Sequence, residues 1–165
     1  MIKYFFYTIN LITILVLLNN CHGLYVYDVR VEGNPSKPTF LISEDESSEI
    51  LNIEVYSYPD GAKYWNIYGQ EKLYKIVYGE VPNNFRVFTT AKKLKPYILY
   101  VFSVDDGEDA YGAGYFYIKK VKNGYILVNL SLKGADIPNS QIDEKLLYVA
   151  EKLEIIRERE KRRKR

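Results

Sequence analysis

One cysteine, Cys21, and one histidine, His22, stand side by side near the start of a 165-residue chain. Beyond Gly23 there is neither. The remainder therefore lacks a Ser-His-Asp or Cys-His catalytic set. It also lacks the thiolate and imidazole ligands of zinc, copper or haem sites, and it can form no internal disulfide. Carboxylates remain, since glycoside hydrolysis needs only two acids and calcium takes about six to eight oxygens. The candidates are "SEDE" (Ser43 to Glu46) and "DDGED", with Asp105, Asp106, Glu108 and Asp109. The second lacks the spacing of an EF-hand loop, and both fall between strand-like segments, where hydrated acidic loops are ordinary. "YGAGYF" (Tyr111 to Phe116) follows no strand-to-helix context and does not make a phosphate loop. The expected role is binding without catalysis, cofactor or metal; the alternatives are a structural or assembly component of a cell-envelope machine that pairs through its C-terminal helix and, ranked last, a carboxylate-only hydrolase.

The two residues sit just past the most apolar run. Tyr4 to Leu18 is 15 residues without a charge, preceded by Lys3. As a helix it spans about 22 Å, short of the roughly 30 Å bilayer core. A charged start, a short apolar core and then small or polar residues is the layout of a secretory signal. Residues 1–23 are therefore expected to direct export to the periplasm or cell envelope. "LNNC" (Leu18 to Cys21) resembles the lipobox of bacterial lipoproteins, departing from it at Asn20, where those proteins carry a small residue. That resemblance implies lipidation of Cys21 and a membrane tether. The competing reading is cleavage after Gly23 in "CHG", which discards Cys21 and releases a soluble protein.

The elements that follow read as strands. Hydrophobic residues are 47% of the chain and charged ones 27%, a balance that favours a folded domain over disorder. Seventeen tyrosines are many, and they bear on function only if they share an exposed face. From Leu24 to Leu132 the apolar period is two. "LYVYDVRVEG" places Tyr25, Tyr27, Val29 and Val31 toward a core as one strand. "ILNIEVYSY" sets Leu51, Ile53, Val55 and Ser57 against Ile50, Asn52, Glu54, Tyr56 and Tyr58, and ends at a "PDG" turn (Pro59 to Gly61). "PTFLI", "KYWNIYG", "KLYKIVYG", "FRVFTT", "YILYVFSV", "GYFYIKKV" and "GYILVNL" repeat the theme, separated by Gly, Pro and Asn. Many short punctuated strands predict a sandwich or barrel.

"LKPYILYVFSV" (Leu94 to Val104) resembles the strand-F pattern of fibronectin type III domains. The resemblance implies a tyrosine corner built from Leu94, Pro96 and Tyr100, its hydroxyl bound to upstream backbone. Trp65 is a candidate for the buried tryptophan of an earlier strand. Its separation from Tyr100 is shorter than in that family, which predicts a reduced or different topology. The expected fold is mainly β, an Ig/fibronectin III-like β-sandwich with a C-terminal amphipathic α-helix. The wider stretch Ile76 to Phe102 is similar to small exported bacterial proteins of unknown function, many of them lipoproteins, some described as immunity proteins of contact-dependent toxin systems. This implies a protein partner.

The end of the chain differs in kind. After a linker at 133–139, residues 140–165 contain no Gly or Pro. Ser140 and Asp143 make a capping pair. Ile142, Leu146, Val149, Leu153 and Ile156 form one helical stripe, expected to dock on the sandwich or on a second copy. Beyond it, Arg157, Arg159, Lys161, Arg162, Arg163, Lys164 and Arg165 oppose two glutamates, net +5 in a chain of +2. This tail is expected to project, fray and contact anionic lipid surfaces. Nucleic acid is not expected as a partner of an exported chain.

Overall fold

The computed structural model describes residues 25–27, 29–43, 49–107, 110–130 and 139–163. The expected signal segment with Cys21, the linker up to residue 138, part of each acidic loop, Lys164 and Arg165 lie outside the described residues.

Among the described residues, ten strands precede one helix: β1 (Tyr25–Tyr27), β2 (Val29–Asn34), β3 (Lys37–Ile42), β4 (Ile50–Tyr58), β5 (Lys63–Glu71), β6 (Lys75–Val77), β7 (Phe85–Thr89), β8 (Leu99–Asp105), β9 (Ala110–Val121), β10 (Gly124–Leu130) and α1 (Asn139–Arg162). They make two sheets. The larger runs β1-β9-β8-β4-β5-β7, with β10 also on β9; the smaller is β2-β3-β6. All pairs are antiparallel except β1 with β9. Taking β2, β3, β4, β5, β6, β8 and β9 as strands A, B, C, C′, E, F and G gives A-B-E facing G-F-C-C′. That is the Greek-key connectivity of an Ig-like β-sandwich, here with a C-terminal helix.

Alternation explains the core between the sheets. On β4, Ile53, Val55 and Ser57 are buried, and on β8, Tyr100, Phe102 and Val104 face the same way. Ile50 is buried as well, because a register shift beside it turns the strand. Phe40 of β3 stacks on Phe102 of β8 at 3.9 Å and tilts against Phe116 of β9 at 5.7 Å, joining the two layers. Gly114 of β9 lets β2 come close: a Cβ there would stand 2.9 Å from Val29 Cγ1.

One sequence expectation is corrected and another is narrowed. "LYVYDVRVEG" holds two strands in different sheets: Tyr25–Tyr27 joins β9, and Val29–Asn34 joins β3. Of the two readings of the short Trp65–Tyr100 separation, reduced or different, the arrangement is different rather than reduced. Trp65 is buried, but it lies on β5, at the C′ position, with its ring edge-on to Tyr78 at 5.5 Å. A tryptophan on a later strand shortens the separation from Tyr100 without removing any strand.

Residues on the other face of the large sheet explain why the helix is needed. Leu99 of β8 is buried, yet points away from the sandwich core, and Tyr58, Tyr115 and Tyr117 share its face. α1 covers them, packing Leu146 and Leu153, with Ile142 and Val149 half-buried, against Tyr97, Leu99, Tyr115, Tyr117 and Leu130. The inward stripe ends at Leu153. Ile156, expected within it, is 40% exposed. At 100° per residue, three residues past Leu153 turn it about 60° off the line of contact.

Candidate protein-binding edge

Leu94, Pro96 and Tyr100 converge where the chain enters β8. Leu94 and Tyr100 are buried in the same core, and Pro96 is half-buried. The Lys95 amide donates to the Tyr100 hydroxyl at 2.8 Å, and that hydroxyl donates back to the Lys95 carbonyl at 3.3 Å. A large ring is thus buried with its polar tip paired. Between them Tyr97 takes a positive φ of 60°, its amide bound to the Ile118 carbonyl at 2.9 Å. Burial pushes the Tyr100 phenol above its ordinary pKa, and neighbouring Tyr64 adds to the rise, against the opposing pull of the Lys95 hydrogen bond. Sequence reasoning missed a second such tyrosine. Tyr78, after β6, donates to the Lys92 carbonyl at 2.7 Å, with the Tyr64 carbonyl at 3.2 Å, and burial raises its pKa too. These groups hold the fold and present no reactive atom to solvent.

The basic residues do not act as one tail. The helix continues to Arg162, and Lys120 of β9 pairs with Glu160 at 3.6 Å, so this segment is docked rather than projecting. Arg157 shares the azimuth of Leu146 and Leu153 and turns inward. It lines a cavity of about 300 Å³ between α1 and the β4–β5 turn, with Ser57, Asp60, Tyr97, Glu151 and Glu154. Its Nη2 donates to Glu154 at 3.1 Å, while its buried Nε has no hydrogen-bond partner. Lys161 pairs with Glu158 at 2.7 Å, a bond that holds the Glu158 carboxyl below its usual pKa. Arg159, Arg162 and Arg163 are exposed.

The most exposed large apolar side chain lies elsewhere, on β7. This strand pairs with β5 and, among the described residues, with nothing on its other side. Asn66 pairs Thr89 and Ile67 pairs Val87, so β7 carries one extra residue, a bulge at Phe88. Bulges re-aim side chains at sheet edges, and Phe88 is 70% exposed. Its ring meets Tyr68 edge-on at 6.2 Å. Tyr68 and Val87 are each 49% exposed, and Arg86 sits across from Tyr68 in the register. An aromatic pair beside an arginine is the composition enriched at the centre of protein interfaces. The signal was present in "FRVFTT": alternation puts Phe85 and Val87 on one face and Arg86 and Phe88 on the other, so one aromatic must face out.

Gly69 keeps this edge in place. A Cβ at Gly69 would run into the Asn84 carbonyl and the Phe85 ring, and would stand 2.7 Å from Phe85 Cα. Gly69→Ala is expected to cost about 1–3 kcal/mol through overpacking and to speed amide exchange in β7 more than in β8, as read by hydrogen-exchange mass spectrometry.

No family model and no curated protein matches the chain. Among the described residues, no group of three or more His, Cys, Asp or Glu side chains is placed to hold a metal ion, and no helix is long and apolar enough to cross a membrane.

Proposed function

We propose that this chain is an exported, non-enzymatic protein-binding module that engages its partner through Tyr68, Arg86 and Phe88. The observation that carries this reading is the bulge that turns Phe88 out of an edge strand beside Tyr68. A ring so exposed contributes little to folding, whereas a large apolar side chain held on a rigid sheet is a ready interface anchor. The absence of histidine and cysteine after Gly23 supports binding over catalysis. The similarity of Ile76 to Phe102 to exported immunity-type proteins, a segment that includes β7, favours occlusion of a toxin as the form of binding. Assembly through the helix is less favoured, because its apolar stripe is occupied by the protein's own sheet.

Phe88→Ser and Tyr68→Ser are each expected to weaken binding to the partner that co-purifies with the wild-type protein by about 30-fold or more. They should leave the melting temperature nearly unchanged, as surface substitutions usually do. Loss of stability without loss of binding refutes this assignment. The export reading has its own test. Mass spectrometry of the mature protein is expected to find a lipid-modified Cys21 or an N-terminus at Leu24; Cys21→Ser abolishes membrane retention in the first case and leaves it unaltered in the second. A mature protein that keeps Met1 contradicts both.

A further inference from the structure

The outward face of α1 is unused by the β7 assignment and does not depend on it. At 100° per residue, the direction opposite Leu146 and Leu153 falls near Tyr148 and Ile155, which are 60% and 47% exposed. Lys145, Lys152, Arg159 and Arg163 flank them on one side together with exposed Ile156, and Arg162 follows on the same outward arc. The Lys152 ammonium lies over the Tyr148 ring, 5.1 Å from its centroid. Acids segregate to the opposite flank: Asp143, Glu151, Glu154 and Glu158 lie on the side of the Arg157 cavity. There Glu154 and Glu158 are already paired with Arg157 and Lys161. Glu144 lies on the outward arc with exposed Glu151 at its edge, and Glu160, on the cation flank, is paired with Lys120. Charge sorting of this kind leaves a face with exposed aromatic and aliphatic side chains and an excess of cations.

We propose that this face is a docking surface for the anionic headgroups of a phospholipid membrane. Tyr148, Ile155 and Ile156 enter the interfacial layer, where an aromatic body with a polar tip is favoured. Lys145, Lys152, Arg159 and Arg162 meet the headgroups, their alkyl stems lying along the apolar boundary. The contact belongs to the middle of the helix as much as to its end, and Arg157 takes no part, because it faces the sheet. An acidic protein surface is the competing occupant, but it would gain less from two adjacent aliphatic side chains beside an exposed ring.

The test uses the full chain with Tyr148→Trp, mixed with vesicles of phosphatidylglycerol or phosphatidylcholine carrying brominated acyl chains. The single native tryptophan, Trp65, is 1% exposed and out of reach of the bromines. The segment before Leu24 is identical in every variant, so a change in quenching on charge reversal reports this face. Quenching is expected on phosphatidylglycerol and not on phosphatidylcholine. Adding Lys152→Glu and Arg159→Glu should weaken it about 30-fold or more, with near-ultraviolet dichroism from Trp65 showing the fold intact. No quenching on phosphatidylglycerol, equal quenching on both lipids, or quenching unaltered by the charge reversals overturns the proposal.

Discussion

Leu146→Ala combined with Leu153→Ala is expected to remove about 4–10 kcal/mol of stability, enough to leave a domain of ordinary stability marginal. Each leucine is buried against the outer face of the large sheet, and truncating a buried leucine to alanine costs about 2–5 kcal/mol. The two positions are about 10 Å apart along the helix, so the losses should nearly add. The reason for the size of the effect lies in the sheet. Among the described residues, Leu99, Tyr115 and Tyr117 cluster with Tyr58, Tyr97 and Leu130 beneath the helix, and detaching α1 would expose that face to water. Urea unfolding measures the loss, with Tyr148→Ser on the outward face as the neutral comparison. A combined loss below about 1 kcal/mol would mean that the helix does not stabilise the sandwich.

Tyr100→Phe is expected to cost about 1–3 kcal/mol at neutral pH, because it removes both part-buried hydrogen bonds between the phenol and the Lys95 backbone. Tyr100→Ala should cost about 3–5 kcal/mol, adding a cavity beneath Phe116, which the ring stacks on at 5.4 Å. The pH dependence has a definite sign. The folded-state pKa of Tyr100 is raised, so its contribution is complete below the unfolded value of about 10. Above that, the unfolded chain releases the phenolic proton and the folded chain keeps it, so stability falls as pH rises. Tyr78 behaves alike. The gap between wild type and Tyr100→Phe should therefore narrow above about pH 10, because phenylalanine has no proton to release. Thermal unfolding across the alkaline range checks this; a gap that widens there is incompatible with a buried, protonated Tyr100.

The layers of the fold were legible because period-two burial leaves a direct trace: Ile53, Val55, Tyr100, Phe102 and Val104 alternate in sequence and share one side in space. Alternation carries no record of which sheet a strand joins. Nothing in "LYVYDVRVEG" marks that its first and second halves join different sheets, and the parallel β1–β9 pairing is non-local. Helix periodicity pointed to a docked stripe, but not to its end, because that depends on how far the sheet extends beneath it. The basic residues misled for a related reason. Counted along the chain they form one tail, whereas wound onto a helix Arg157 faces the sheet, Lys161 meets Glu158, and Arg159 and Arg162 face out. The β7 edge was legible only in part. "FRVFTT" requires one aromatic to face outward on a two-sided strand, but the bulge that sets Phe88 beside Tyr68 comes from pairing with β5.

A photo-crosslinking amino acid placed at position 88, in the cells that produce the protein, tests the central claim most directly. Lys122, exposed in the turn between β9 and β10, is the control position. One discrete protein adduct is expected from position 88 and none from position 122, with loss of that adduct when Tyr68→Ser is added. Equal adducts from both positions, or an adduct that is only a second copy of this chain, would contradict that claim.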